Sequence, residues 1–306
     1  MSEIKASLVK ELREKTGAGM MECKKALSET NGDLDAAIDF LRKKGMSVAE
    51  KKAGRIANQG LVGVIVTGKE GATVELNSET DFVAKNTDFQ KFLGDVMNVA
   101  LAQKGDLEAV KTSSLNGKTV ADTLTSLIAT IGENMNLRRS AYVSVNNGVV
   151  VPYVHTAIVP GMGKIGVLVA LESTADTSVL TETGKKIAMH IAAANPRFLT
   201  VADVDTATIE HEKGIYAEQA KNSGKPAAII EKMVEGRMRK FYEEVVLMEQ
   251  AFIMDPDKKV KDIVADLSKQ TGTDVKLTAY VRFGLGEGIE KKEEDFAAEV
   301  AKQMNG

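Results

Sequence analysis

Two glycine clusters contain the residue types that nucleotide-binding loops use, because such loops hold phosphate oxygens with backbone N–H groups. The first cluster is residues 161–164, but Ile165 stands where a phosphate-binding loop needs a hydroxyl for magnesium, and Ile158 stands where its first glycine belongs. The second cluster is residues 284–288, and Ile289 replaces the third glycine of a dinucleotide fingerprint. The sequence therefore predicts no nucleotide site, and we expect no cofactor.

Metal-binding and nucleophilic chemistry have equally little support in the sequence. The histidines, His155, His190 and His211, are scattered, and they lack metal-ligand spacing with the single cysteine, Cys23. We find no combination of residues typical of hydrolysis. The chain is predicted to hold no metal and to act by binding rather than by covalent chemistry, although an enzyme with a site invisible in the sequence remains an alternative.

Residues 75–89, with the sequence ELNSETDFVAKNTDF, depart from the patterns on either side of them. Residues 72–77 alternate apolar and polar side chains, which predicts a half-buried strand. A helix is predicted after them, with Thr87 as its N-cap and apolar residues at helical spacing from Phe89 onward. Phe82 belongs to neither pattern. The residue pattern alone favours a local role, in which Phe82 covers the start of the helix and Asp81 interacts with its positive end.

Composition limits the classes of partner. The chain has 306 residues, with 40 basic and 43 acidic side chains and a net charge of -3. This balance predicts no general attraction to nucleic acid or to an anionic membrane, so a protein or a small ligand is the expected partner. A single cysteine excludes an internal disulfide and is typical of a reducing compartment. Because residues 1–15 are charged and no later segment is apolar enough to span a bilayer, we expect a cytoplasmic protein.

The first part of the chain, residues 2–45, is predicted to form three short helices with one small core. Gly45 is expected to end this bundle. Met20 belongs to the apolar face of the second helix, and Met21 follows it directly. Two adjacent methionines cannot both face one helical core, so one of them is expected to be exposed, either as a protein contact or as a cover for the edge of the core. The two interpretations are equally supported by the pattern.

Residues 45–60 are basic and poor in large apolar side chains, which indicates a partly helical linker rather than an RNA-binding segment. The remaining chain twice shows strands followed by a helix, with GLVGVIVTG echoed by GKIGVLVALE, which suggests two related subdomains. Residues 199–247 are predicted to be an inserted antiparallel helical hairpin. A charged amphipathic helix is predicted for residues 289–304.

Two runs of sequence resemble signatures of a known family. They are residues 75–85, ELNSETDFVAK, and residues 12–27, LREKTGAGMMECKKAL. Both are similar to signatures of the elongation factor Ts family, whose members are guanine nucleotide exchange factors of the translational GTPase elongation factor Tu. The resemblance covers essentially the whole chain. It implies that Asp81 and Phe82 enter the nucleotide-binding domain of the GTPase close to its magnesium site, which reverses the preference for a local role.

The resemblance also implies an α+β fold with five parts. These are an N-terminal three-helix bundle of the ubiquitin-associated type with its linker (1–55), a first core subdomain (56–139), a second core subdomain (140–198 and 248–288), the helical hairpin (199–247) and a C-terminal helical module (289–306). The two core subdomains are expected to contain antiparallel sheets. The hairpin is expected to mediate self-association, as a homodimer or within a heterotetramer.

The contact residues that the resemblance implies for the GDP-bound GTPase are Arg13, Met20, Met21, Thr80, Asp81, Phe82, Val83, Ile131, Gly132 and His155. The sequence between His155 and Ile165 is expected to form a longer connection than the family usually has. A scaffold of the ubiquitin-associated type that binds without releasing nucleotide is the competing class. Release of labelled GDP by catalytic amounts of the protein would distinguish the two.

Overall fold

The computed structural model describes residues 4–221 and 226–289 of the chain. Its helices are α1 (Ala6–Thr16), α2 (Met20–Glu29), α3 (Leu34–Lys52), α4 (Thr87–Ala102), α5 (Leu107–Thr112), α6 (Val120–Ile131), α7 (Thr177–Ala194), α8 (Thr206–Lys221), α9 (Ala227–Val245) and α10 (Val260–Thr271). Its strands are β1 (Gln59–Thr67), β2 (Glu70–Ser78), β3 (Ser114–Leu115), β4 (Lys118–Thr119), β5 (Met135–Ser144), β6 (Gly148–Val159), β7 (Met162–Glu172), β8 (Ala251–Phe252), β9 (Asp255–Lys259) and β10 (Lys276–Gly284). The predicted α+β class is confirmed.

Antiparallel pairing builds the core from two three-stranded units. In the first unit β2 pairs with β1 and β5, and in the second β7 pairs with β6 and β10. A short ladder joins the units, because Val62 and Gly63 of β1 pair with Gly163 and Met162 of β7. The strands of both units therefore belong to one six-stranded sheet.

The two units repeat the same order of elements. The first unit begins with the β1–β2 hairpin, continues through helices that include α4 and α6, and ends with β5, which pairs with β2. The second begins with the β6–β7 hairpin, continues through helices that include α7 and α10, and ends with β10, which pairs with β7. The sequence echo nevertheless matches β1 with β7, which occupy different positions in the repeat. The predicted repeat is therefore present, but the sequence similarity linked two strands that are not equivalent in it. Apolar strands resemble one another whatever their position.

Three clusters of buried side chains lie in and around the sheet. One packs β1, β2 and β5 against α4 and α6, and another packs β7 and β10 against α7 and α10. The third lies between the units and contains side chains from both, namely Val64, Val143, Val145, Val150, Leu168 and Ala170. Because β2 has packed side chains on both faces, Thr73, Glu75 and Asn77 are fully buried. The prediction that this strand is half-buried is therefore wrong.

The N-terminal bundle does not end at Gly45, as the sequence suggested. Helix α3 continues to Lys52, and Arg42 on it forms an ion pair with Asp122 of α6 at 3.2 Å. A Cβ atom placed on Gly45 would lie 3.6 Å from the Cβ atom of Ala129, which is an ordinary van der Waals distance, so α3 packs against α6 at this position. Tertiary packing thus overrides the glycine as a helix terminator. The predicted linker is reduced to the residues between α3 and β1.

The predicted boundary between the core subdomains, at residues 139 and 140, falls inside β5, which remains paired with β2 through Ser144. The division of the chain into domains stays a prediction. The long connection expected between residues 156 and 164 is wrong, because β6 and β7 continue through it and turn at residues 160–161. The strand bends where Thr156 has a φ of 53° and where the register shifts between Ala157 and Val159.

Helices α8 and α9 form the predicted hairpin, although its tip at residues 222–225 lies outside the described residues. A small core of its own lies at the base of the hairpin, and its buried members are Val204, Met238, Phe241, Val245 and Val246. Residues 290–306, which include nearly all of the predicted C-terminal helix, also lie outside the described residues. Across residues 4–221 and 226–289, every helix is too short or too polar to cross a bilayer.

His190 of α7 connects the second unit to the return of the hairpin. It is 1% exposed, its Nε2 atom lies 2.9 Å from Oε1 of Gln250, and the Ile253 amide donates to its Nδ1 atom at 3.3 Å. An imidazole that accepts at Nδ1 and donates from Nε2 is neutral. Burial lowers the pKa of His190, and the hydrogen bond to Gln250 opposes this shift only in part.

We expect this histidine to make the protein less stable in mild acid. Because the folded state has the lower pKa, its contribution to the free energy of unfolding is complete above the unfolded pKa of about 6.5 and is lost as the pH falls through the folded pKa. Denaturant titrations between pH 7 and 5 should show a slope of at most about 1.4 kcal/mol per pH unit from this group. The slope should flatten in His190→Gln, and an unchanged slope would contradict the assignment.

Candidate partner-binding site

Phe82 is the most exposed large apolar side chain in the described part of the chain, with 76% of its surface accessible. It follows directly on the loop that leaves β2, and a short 3-10 helix, Val83–Lys85, comes after it. Val83 and Ala84 are buried in the core of the first unit. The ring therefore does not cover the start of α4, and the local interpretation of Phe82 is wrong. Val83 supports the loop from below, while Phe82 and Asp81 point to solvent.

The capping residue of α4 is Asn86, one position before the predicted Thr87. The Asn86 side chain accepts hydrogen bonds from the amides of Asp88, at 2.8 Å, and Phe89, at 3.1 Å. Gln90 also reaches back and donates to the Ala84 carbonyl at 2.8 Å. These contacts hold the end of the loop against the start of a packed helix. The side of the loop that follows Phe82 is thus firmly anchored.

The side that precedes Phe82 is held by a second loop, at residues 132–134. The Thr80 amide donates to Glu133 at 2.9 Å, and the Thr80 hydroxyl donates to the same carboxylate at 2.6 Å. In return, the Asn134 amide donates to Glu79. Arg55 forms an ion pair with Glu79 at 3.5 Å. We call this reciprocal arrangement of Glu79, Thr80, Glu133 and Asn134 the loop clasp.

Ile131 and Gly132 reach the same place because α6 ends there. Gly132 has a φ of 86°, in the left-handed region that favours glycine, and its amide donates to the Ile128 carbonyl at 2.9 Å. Its carbonyl accepts a hydrogen bond from the Lys52 ammonium at the end of α3. The structure therefore groups Thr80, Asp81, Phe82 and Val83 with Ile131 and Gly132. No local pattern singled out Glu133, because its partner, Thr80, lies 53 positions away.

Met20 and Met21 are both exposed, by 61% and 74%. The prediction that Met20 packs in the core of the bundle with Cys23 and Leu27 is wrong. Buried side chains from all three helices, namely Val9, Leu12, Cys23, Ala26, Leu27 and Ala37, already fill that core. Arg13 is exposed on α1. Burial raises the pKa of the Cys23 thiol, which disfavours its reactive form.

His155 lies apart from the loop clasp, on β6 of the second unit. It is exposed, and its Nδ1 atom lies 3.1 Å from the hydroxyl of Tyr153. The site predicted from the sequence is thus distributed over three places: the methionine pair on α2, the loop clasp with Phe82, and the β6 strand. Such a spread suits a large protein surface better than a small ligand.

Glu75 connects β2 to the end of the described chain. Its buried carboxylate accepts hydrogen bonds from Arg138 at 3.1 Å, from the Gly286 amide at 2.8 Å and from Asn77 at 3.0 Å, and Arg139 donates to it as well. Burial by itself raises the pKa of Glu75, but the hydrogen bonds from Gly286, Asn77 and Arg139 outweigh it and hold the pKa below its ordinary value. Glu75 therefore stays ionised and fixes residues 284–288 to the first unit.

The described residues hold no cluster of three or more histidine, cysteine or acidic side chains arranged to bind a metal ion. What the arrangement offers instead is an exposed aromatic ring on a loop that is anchored at both ends. A ring held in this way can be inserted into a partner without first ordering the loop, which lowers the entropic cost of binding.

Comparisons with known proteins identify relatives of this chain. The model of the family described as Elongation factor TS matches residues 79–287. The chain is 60% identical to elongation factor Ts of Paramagnetospirillum magneticum, over 99% of this chain and 98% of the relative. It is 58% identical to elongation factor Ts of Rhodospirillum rubrum, over 99% of both chains. Elongation factor Ts of Rhodospirillum centenum is 57% identical over 98% of this chain and 99% of its own.

These matches place the chain among the elongation factors of protein biosynthesis. The chain belongs to the elongation factor Ts family.

Proposed function

We propose that this protein binds elongation factor Tu in its GDP-bound form and promotes release of GDP, so that GTP can bind in its place. The observation that supports this most directly is Phe82, a ring with 76% of its surface accessible on a loop anchored at both ends. Phe82 wedges apart the magnesium side of the nucleotide pocket, and Asp81 holds the displaced elements. The protein itself performs no covalent chemistry.

The ring of Phe82, which we call the wedge, cannot by itself account for the release of GDP. Burying one phenylalanine side chain is worth roughly 1.5–3 kcal/mol. Because about 1.4 kcal/mol corresponds to a factor of ten, the ring alone weakens GDP binding by about one or two powers of ten. Other contacts must therefore hold the two proteins together while the ring acts. In our proposal this surface comes from Arg13, Met20 and Met21 on the bundle, Thr80, Ile131 and Gly132 around the wedge, and His155 on the second unit. Val83, which the sequence resemblance also implied as a contact, is buried and supports the loop instead.

Exchange follows from reciprocal coupling on the GTPase. If the factor weakens the grip of the GTPase on GDP, then GDP must weaken its grip on the factor by the same ratio. The factor is displaced when GTP binds, so that one molecule can act many times. Neither step requires a nucleotide, a metal or a cofactor bound to this chain. We propose the cytoplasm as its location, because translation elongation takes place there.

The test is release of fluorescently labelled GDP from elongation factor Tu. Amounts of this protein far below those of the GTPase should release all of the label in the presence of excess unlabelled GDP. Release limited to one GDP per factor, or binding without release, would instead support a scaffold of the ubiquitin-associated type.

We further propose that α8 and α9 mediate self-association and are dispensable for exchange by a single molecule. Replacing residues 213–234 with a short glycine-rich linker removes the outer part of the hairpin and keeps Met238 and Phe241 at its base. The wider replacement of residues 203–243 would remove these two buried side chains and expose Val246. We expect the shortened protein to differ from the parent in oligomeric state. Its rate of GDP release should stay within about twofold of the parent rate, a difference of a few tenths of a kcal/mol in the activation free energy.

Analytical ultracentrifugation and the GDP-release assay measure the two effects separately. Loss of exchange in a shortened protein that still unfolds cooperatively would place part of the contact surface on the hairpin.

A further inference from the structure

The segment between Ser78 and Val83 carries the wedge but has little support from the sheet or the core. β2 ends at Ser78, which pairs with Met135 of β5. The chain is buried again only at Val83. Between these points Asp81 and Phe82 are exposed. The Lys85 amide donates to the Phe82 carbonyl at 3.1 Å, whereas the path of the chain before Asp81 depends on contacts made by Glu79 and Thr80. Those contacts are the loop clasp.

Within the loop clasp, Glu133 binds Thr80 through two hydrogen bonds to one carboxylate. The backbone amide and the hydroxyl of Thr80 donate to different oxygens of Glu133, at 2.9 and 2.6 Å. Hydrogen bonds to an ionised acceptor are short and strong, and two of them fix orientation as well as distance. Thr80 is the residue immediately before Asp81. Its orientation therefore determines the direction in which Asp81 and Phe82 leave the surface.

The loop clasp is also reciprocal, because each loop contributes a carboxylate to a backbone amide of the other. Glu79 accepts from the Asn134 amide while Glu133 accepts from the Thr80 amide. The Ser78 hydroxyl donates to the Thr80 carbonyl at 2.9 Å, so both backbone polar groups of Thr80 are occupied. Rotation of Thr80 would break these bonds together. A loop held in this way is pre-organised for insertion.

We infer that Glu133 is a positioning residue for exchange, which acts by holding Thr80 so that Asp81 and Phe82 are presented to the GTPase in the inserting orientation. This inference rests on the proposed function. Glu133 lowers the cost of reaching the state in which GDP is released, while initial docking depends on contacts elsewhere. Its loss should therefore slow GDP release at saturating factor and leave the half-saturating concentration almost unchanged.

Glu133→Ala should slow GDP release at saturation on the order of tenfold, as expected for losing hydrogen bonds to a charged group. The half-saturating concentration should stay within about twofold, because initial docking contacts are retained. Thr80→Val keeps the amide but loses the hydroxyl, so it should slow release less than Glu133→Ala does. Thr80→Ser keeps both donors to Glu133 and should slow release less than Thr80→Val does.

Glu172 provides a matched control. Its carboxylate also accepts from two backbone amides, those of Asn146 and Asn147, each at 3.3 Å, but it lies in the second unit. Glu172→Ala should therefore leave the saturating rate of GDP release unchanged. A merely structural role for Glu133 predicts that both variants lower stability and that neither lowers the saturating rate selectively.

A double-mutant cycle with Phe82 tests whether Glu133 acts through the wedge. If it does, Glu133→Ala should slow release by a smaller factor in the Phe82→Ala background than in the parent, because only Asp81 is then left to be positioned. Multiplicative effects of the two substitutions, or a parental rate in Glu133→Ala alone, would overturn the inference.

Hydrogen exchange of the Thr80 amide in the free protein gives a readout that does not depend on the GTPase. It should accelerate in Glu133→Ala and not in Glu172→Ala, and equal rates in Glu133→Ala and the parent would overturn the inference. If Phe82→Ala itself releases GDP at the parent rate, the proposed wedge fails. Accelerated Thr80 exchange would then still support Glu133 as the residue that positions the loop.

Discussion

Phe82→Ala is expected to slow GDP release at saturating factor about tenfold to a hundredfold, because the substitution removes roughly 1.5–3 kcal/mol of side-chain burial in the complex. The ring is exposed in the free protein, so its loss leaves no cavity and should hardly change the free energy of unfolding. The effect should therefore appear in exchange and not in stability. Stopped-flow release of labelled GDP measures it.

The dependence on magnesium distinguishes a wedge from a general contact. If Phe82 acts by opening the magnesium side of the pocket, chelation of magnesium weakens the same contacts without the ring. The difference in GDP-release rate between Phe82→Ala and the parent should then be smaller. Ile229→Ala is the control, because Ile229 is another exposed apolar side chain, 46% accessible, on α9. Release at the parent rate by Phe82→Ala with magnesium present would refute the wedge.

Replacement of both Met20 and Met21 by alanine is expected to weaken complex formation and to leave the saturated exchange rate largely intact. The two side chains are 61% and 74% exposed in the free protein, and each can bury most of its surface against a partner. Burial of a methionine is worth roughly 1.5–3 kcal/mol, so losing part of two such contacts should raise the half-saturating concentration at least tenfold.

The double methionine variant is a cleaner test than deletion of residues 1–50. Such a deletion would also remove Arg42, Gly45 and Ala49, which pack or pair against the first unit. Met46→Ala is the matched control, since Met46 is 48% exposed and lies on α3 outside the predicted contact surface. A normal half-saturating concentration in the Met20 and Met21 variant would exclude the docking role of the bundle.

Local patterns in the sequence were enough to predict the helices that pack through a repeating apolar face. The stripe after Phe89 predicted α4, and the apolar spacing in residues 2–45 predicted three helices, because helical periodicity places such side chains on one face whatever lies opposite. The two signature runs led to the family, which the comparisons confirm. The run at residues 75–85 also singled out Asp81 and Phe82, and their role in exchange stays a prediction.

Tertiary structure decided the features that depend on residues far apart in the chain. Helix α3 continues past Gly45 because α6 lies beside it, and β2 is buried on both faces because the second unit covers it. Met20 is exposed because side chains from three helices already fill the small core. The loop clasp joins Thr80 to Glu133 across 53 positions, a separation that no local periodicity encodes. The sequence by itself thus determined the family and the fold class and singled out Asp81 and Phe82, whereas only the folded chain showed the loop clasp that holds their loop, since that depends on hydrogen bonds between distant residues.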